Sequence, residues 1–219
     1  MIIKLRTNTV FVFDLDDTLF PEIEYLTSAF SEISEYLSER SDSNLLRRML
    51  QKYAKNEDVF GWLVATYRDK VPELTVSRLL QMYRQHKPVL NLSQDVKAVL
   101  DELKGRNIPL GLITDGRSLT QRSKLHALGI LNYFTDIIIS EEFGSAKPDR
   151  RNYQYFVEKY KGADFYFVGD NTAKDFIVPK LLGWKTICLK DCGTNVHKQN
   201  LSKNPPDIVI ENFKEIVFL

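Results

Sequence analysis

Three acids lie within four residues at Asp14, Asp16 and Asp17, directly after the apolar run at 10–13 and just before Thr18. If the backbone stays extended there, Asp14 and Asp16 point to one side and Asp17 to the other. Two carboxylates a few ångströms apart repel each other, so such a pair needs a shared cation or a shared proton. Mg²⁺ suits this role because it takes hard oxygen ligands and keeps several waters, which leaves room for a phosphate oxygen. The bland alternative is an acidic turn that caps a helix beginning near Pro21.

A second acidic strand end lies far along the chain, where the apolar run at 165–168 leads into Gly169-Asp170-Asn171-Thr172-Ala173-Lys174-Asp175. Glycine permits a tight turn, and Asp170 completes a carboxylate cluster if its strand neighbours the first one. Asp175, one helical turn further on, is placed to hold a metal water or a lysine behind the ligands. An Asp N-cap would be the structural use of such a residue, yet two acidic ends in one sheet weigh against capping alone. Two smaller signals join these. Thr114-Asp115-Gly116 offers a hydroxyl and backbone N–H groups at a strand-to-helix turn, a ready anion site. Lys147-Pro148 supplies a cation on a fixed backbone, although a lone lysine is most often solvated surface.

These residues need a scaffold that brings strand ends together. Five short runs rich in β-branched or aromatic residues read as buried parallel strands, at 10–13, 110–113, 137–139, 165–168 and 186–189, with a weaker sixth at 207–210. Between them lie apolar stripes with helical period: Val96, Val99, Leu100 and Leu103; Leu119, Leu125 and Leu128; Tyr153, Phe156, Val157 and Tyr160; Phe176, Val178, Leu181 and Leu182. Gly129 and Gly183 stop two of them. Alternating strands and helices imply right-handed βαβ units in a doubly wound parallel sheet of the α/β class. Ligands bind such sheets outside the carboxyl ends of the strands, where the acids stand. From Pro21 to about His86 the rhythm breaks. Ile23, Leu26, Phe30, Ile33 and Leu37 form one helical face, and three further helices follow, around 45–53, 59–67 and 76–83. The expected organisation is a core of residues 1–19 and 90–219 with an inserted α-helical domain at 20–89.

Composition narrows the function classes. The 219 residues are 43% hydrophobic and 27% charged, and 30 basic against 29 acidic residues leave a net charge of +1. That balance argues against a nucleic acid polymer or an anionic membrane as partner, since both demand a concentrated basic field. No run approaches the ~18–20 apolar residues of a spanning helix. Cys188 and Cys192 fit neither a zinc pattern nor a disulfide framework, so they are expected as reduced thiols in cytoplasm, Cys188 in the core.

Together and in this order, the motifs resemble those of the haloacid dehalogenase-like hydrolase superfamily. FDLDDTLF is similar to its first motif, ITDG to its second, Lys147-Pro148 to its third and GDNTAKD to its fourth. The stretch KLHALGILNYFTDIIISEEFGSAKPD resembles the subgroup with a helical cap after the first motif, on a Rossmann-like core. The resemblance implies a phosphatase using Mg²⁺, with Asp14 as nucleophile and Asp16 as general acid and base. It places the metal on the Asp14 side chain, the Asp16 backbone carbonyl and Asp170, with Asp175 behind them. It assigns the phosphoryl oxygens to Thr114 and the amides of Asp115 and Gly116, and charge balance to Lys147. The implied substrate is a small phosphate ester of the nucleotide or sugar phosphate class, and the chain is expected to be a monomer or homodimer. A phosphomutase would use the same core residues and differ in the cap, where no acid–base pair is evident. A dehalogenase needs only the nucleophile, because halide leaves without a proton, so Asp16 favours an alkoxide leaving group. A binding module that kept the fold without catalysis would have little reason to retain three clustered acids. Substrate choice falls to the cap region, with Phe20, Glu22 and Tyr25 after the nucleophile and a turn at Phe60, Gly61 and Trp62.

Overall fold

The computed structural model describes residues 2–40 and 43–219. The chain opens with β1 (Ile2–Ile3) and β2 (Thr9–Phe13), and continues through α1 (Glu22–Tyr36), α2 (Leu45–Ala54), α3 (Val59–Tyr67) and α4 (Val76–Gln85). After α5 (Gln94–Gly105), strands and helices alternate: β3 (Leu110–Thr114), α6 (Ser118–Ala127), β4 (Asp136–Ile139), α7 (Ser140–Phe143), α8 (Arg150–Lys159), β5 (Asp164–Gly169), α9 (Ile177–Leu181) and β6 (Lys185–Leu189). β7 (Ile208–Ile210) and β8 (Val217–Phe218) end the chain. Two compact units result, one of Met1–Glu22 with Asn91–Leu219 and one of Ile23–Leu90.

The larger unit is built on a six-stranded sheet in the order β4-β3-β2-β5-β6-β7, with every neighbouring pair parallel. The strand order turns back at β2, which lies between β3 and β5, and such a switch point opens a crevice at the strands' carboxyl ends. Period-two alternation divides β2: Val10 and Val12 join the core that contains Phe156, Phe167 and Trp184, while Phe11 stacks on Tyr166 and Phe13 meets Phe134 edge-on on the other face. α5 is held at its start by Ser93, whose hydroxyl accepts the amide of Val96, and it buries Val96, Val99, Leu100 and Leu103. A short parallel pair, β1 with β8, joins Ile2–Ile3 to Val217–Phe218, apolar runs outside those that read as strands in the sequence.

The smaller unit is all helix and has its own core, including Phe30, Ile33, Leu63 and Leu79. α1 buries Leu26, Phe30 and Ile33, as its 3-4-3 spacing predicts. Two local expectations change. Phe60, Gly61 and Trp62 lie in a helix rather than a turn, because Asp58 caps α3 by accepting the Gly61 amide. Phe60 packs edge-on to Phe30 and Tyr83, and Trp62 lies beneath Arg48 and Lys52. In the larger unit, Leu119 and Leu181 are exposed, so neither belongs to the buried stripe its spacing suggests. Among the described residues, no helix is long and apolar enough to cross a membrane.

Candidate active site

Asp14 follows the last residue of β2, and its amide donates to the Val168 carbonyl of β5 at 2.8 Å. The register pairs Phe13 with Val168, so Asp14 and Asp170 emerge on adjacent strands one and two residues beyond that pair. Oxygens of Asp14, Asp170 and Asp175 all lie within 4.8 Å of one another, and all three residues are buried. Gly169 allows this convergence. A Cβ there would lie 2.6 Å from Asp175 Oδ2, which turns back to accept the Asn171 amide at 2.9 Å.

Lys147 reaches this cluster through the interior. Its Nζ donates to Asp14 Oδ1 at 2.5 Å and lies 2.9 Å from Asp175 Oδ1. Burial disfavours its charge, yet the Asp14 and Asp175 carboxylates hold the ammonium well above its usual range. Asp115 positions the backbone that carries it: Oδ1 accepts the Lys147 amide at 2.9 Å and Oδ2 accepts Lys174 Nζ at 2.7 Å. One ammonium among three carboxylates leaves a negative excess. Burial therefore pushes the Asp14 carboxyl up to about 7 against the pull of Lys147, with Asp175 and Asp16 adding to the rise. Burial, then Asp14 and Asp175, push Asp170 up to about 8.

The three neighbouring acids of the first motif part company. Asp17 takes positive φ (56°) instead of extended backbone, which an aspartate tolerates, and its carboxylate accepts the amides of Glu22 and Val196, each at 2.8 Å. It serves as the capping residue that the bland reading foresaw. Asp16 turns its carboxylate away from the buried trio toward α6, where Lys124 Nζ meets Oδ1 at 2.6 Å and Gln121 Nε2 meets Oδ2 at 2.7 Å.

Thr114 ends β3 and accepts the other Gln121 Nε2 hydrogen bond on its Oγ1, so its own proton is directed elsewhere. Gly116 takes φ 140°, a conformation that glycine supplies, and its N–H donates to Ser140 Oγ at 2.9 Å. That amide is thus engaged in this structure, in contrast to the expectation that it faces an anion. A cavity of about 260 Å³ opens over these groups, lined by Asp14, Asp16, Thr114, Asp170, Lys174 and His197 among others.

The loop after β6 adds supporting contacts that no sequence motif marks. Asn195 Nδ2 donates to Asp170 Oδ2 at 2.8 Å, and Gln199 Nε2 to the Asp170 carbonyl at 2.9 Å. Gln121 likewise joins the site without a motif to announce it, and Lys124 and Lys174 lie within family-like stretches that assign them no role. The signal in the sequence is faint, for polar residues on a helix or loop look alike whether they are buried or solvated. Cys188 is buried and Cys192 exposed, both as free thiols.

The family model of haloacid dehalogenase-like hydrolases matches residues 11–189. The chain belongs to that family. It is 28% identical over 190 residues to the glyceraldehyde 3-phosphate phosphatase of Methanocaldococcus jannaschii, covering 80% of this chain and 82% of that one. It is also 33% identical over 103 residues to the pyrimidine 5'-nucleotidase YjjG of Escherichia coli, 46% of this chain and 43% of the relative. The magnesium-bound HAD-hydrolase YfnB of Bacillus subtilis superposes with a TM-score of 0.68 at 19% identity, over 94% of this chain and 96% of that one, a likeness of fold alone. The chain is therefore an α/β hydrolase with an all-helical insertion after its first motif.

Proposed function

We propose that this hydrolase is a Mg²⁺-dependent phosphatase of small phosphorylated metabolites that works through an aspartyl-phosphate on Asp14. The observation that carries the reading is the convergence of Asp14, Asp170 and Asp175 at the switch point of the sheet, with Lys147 paired to Asp14 and Asp175. The names of the relatives support the substrate class, one a triose phosphate phosphatase and one a nucleotidase.

The donor set suits Mg²⁺. It is made of hard carboxylate oxygens, and the raised Asp14 and Asp170 carboxyls mark a site short of positive charge. Asp14, the Asp16 carbonyl and Asp170 would hold the ion, with Asp175 behind them. When bound, it supplies positive charge to the equatorial phosphoryl oxygens. The rest of the chemistry falls to the chain. An Asp14 oxygen attacks phosphorus as the bond to the leaving oxygen breaks, and Asp16 gives that oxygen a proton. Asp16 then takes a proton from water as the water attacks phosphorus and the Asp14–phosphorus bond breaks, releasing phosphate. Lys147 holds Asp14 in place and offsets charge as the dianion enters. Thr114, Asp115 and Gly116 cradle the phosphoryl oxygens: the hydroxyl proton of Thr114 is free to turn to them, and the Gly116 N–H exchanges Ser140 for one. The helical unit at Ile23–Leu90 is the cap in this reading and sets the choice of ester.

With Mg²⁺, purified protein is expected to release phosphate from an aryl phosphate, and Asp14→Asn to abolish the release. Phosphate release that survives in Asp14→Asn would sink the assignment. Product analysis with a hexose 1-phosphate separates this reading from a mutase, since free sugar identifies the hydrolase and an isomeric phosphate the mutase.

A further inference from the structure

The buried face of α6 is only partly the apolar stripe its sequence suggests, for Leu125 is buried but shares the face with two polar residues. Leu119 is 56% exposed, whereas Gln121 and Lys124, one turn apart, are 1% and 2% exposed. An ammonium withdrawn from water is costly unless it is paired and hydrogen-bonded. The Lys124 ammonium lies 2.6 Å from Asp16 Oδ1, near the Glu22 carboxyl, with its Nζ 5.8 Å from the centre of the Phe20 ring. Gln121 fixes the other Asp16 oxygen and, with its second N–H, the hydroxyl of Thr114.

We propose that Gln121 and Lys124 are positioning residues that aim Asp16 at the leaving-group oxygen, an inference that rests on the phosphatase reading above. Each carboxylate oxygen takes one donor from a single rigid helix, which fixes both the plane and the direction of the group. Each oxygen keeps a second lone pair for the reaction, and the Asp16 side chain, 19% exposed, stays open to the cavity. Gln121 adds a gauge function. By holding Asp16 and Thr114 together, it sets the distance between the group that meets the leaving oxygen and the group that meets the phosphoryl oxygens. A misplacement of about 1 Å in such an arrangement costs on the order of 100-fold.

Leaving groups of different basicity test this. An alkoxide must receive a proton as it departs, whereas a dinitrophenolate departs without one. In kcat/KM, which reports only steps through release of the first product, Lys124→Met is expected to lose about 10–100-fold on ethyl phosphate. On a dinitrophenyl phosphate it should stay within about threefold of the parent. Asp16→Asn should show the same selectivity more strongly, and adding Lys124→Met to it should cost little more, because Lys124 acts through Asp16. Equal losses on the two esters, or losses that multiply in the double variant, would overturn the inference and leave the phosphatase reading intact. If thermal unfolding shows that Lys124→Met does not fold, Gln121→Met is expected to lose more on ethyl phosphate than on the dinitrophenyl ester, beyond a loss common to both through Thr114, and equal losses would overturn the inference. Parent protein that hydrolyses neither ester overturns the phosphatase reading and this inference with it.

Discussion

At the scale of single residues, the site is a problem of charge in a dry place. Asp14 and Asp175 share one ammonium, Lys147, with Asp170 beside them, and all four side chains are buried. Removing the lysine leaves carboxylates with no internal counter-charge, so Lys147→Met should destabilise the metal-free protein by about 3–5 kcal/mol. Urea denaturation in the presence of a chelator would measure this, and Mg²⁺ should restore part of the loss. The same imbalance has a pH signature. The folded-state carboxyls of Asp14 and Asp170 lie at about 7 and about 8, above the ordinary aspartate value of 3.8. The fold therefore holds protons that the unfolded chain has already released. Their stabilising effect is complete at low pH and fades as pH rises through the raised values. Without metal, the melting temperature should fall from about pH 4 to about pH 8 and level off above that. A flat or rising profile would contradict the charge balance described above.

At the scale of elements, strand ends and the loops after them do the placing. β5 brings Asp170 beside Asp14, and Gly169 leaves the space that Asp175 fills. Gly169→Ala puts a methyl group 2.6 Å from Asp175 Oδ2, closer than contact allows, so it should cost about 1–3 kcal/mol and lower turnover by disturbing the Lys147 contact. A crystal structure of the variant would show Asp175 displaced. The loop after β6 acts on Asp170, a ligand in the proposed site, since Asn195 holds its Oδ2. Partners of this kind orient metal ligands, and their loss commonly weakens binding about 10–100-fold. Titration calorimetry of Asn195→Ala with Mg²⁺ should show that weakening, with the fold unchanged by circular dichroism. Unaltered affinity would assign Asn195 to loop architecture alone.

At the scale of the whole molecule, metal and protons would compete for the same oxygens in the proposed site. Mg²⁺ should raise the melting temperature, and by more at about pH 8.5 than at about pH 5.5, because at the lower pH it must displace protons. A metal effect independent of pH would place the ion elsewhere. The helical unit enters the chain between Glu22 and Asn91, only a few residues after Asp14 and Asp16. Substitutions on its side chains are therefore expected to change which phosphate ester is preferred while leaving the Asp14→Asn effect intact on every ester, which a panel of phosphorylated metabolites would check.

What the sequence determined by itself were the features that repeat with a period or recur at a strand end. Runs such as those around Val12 and Phe167 specify buried strands through their apolar continuity, and 3-4-3 spacing specifies α1. The acids at strand ends then mark the ligand-binding edge, because an α/β sheet has only one such edge. The tertiary structure decided which neighbours each acid meets. Asp14, Asp16 and Asp17 are nearly contiguous in sequence, yet one faces Lys147, one faces Lys124 and one caps α1, because a single left-handed residue and three different packing partners separate them. The same holds for α6, where Lys124 is buried and Leu119 exposed. Periodicity records which residues share a helix face, but the charge that waits opposite that face comes from another part of the chain, and only folding brings the two together.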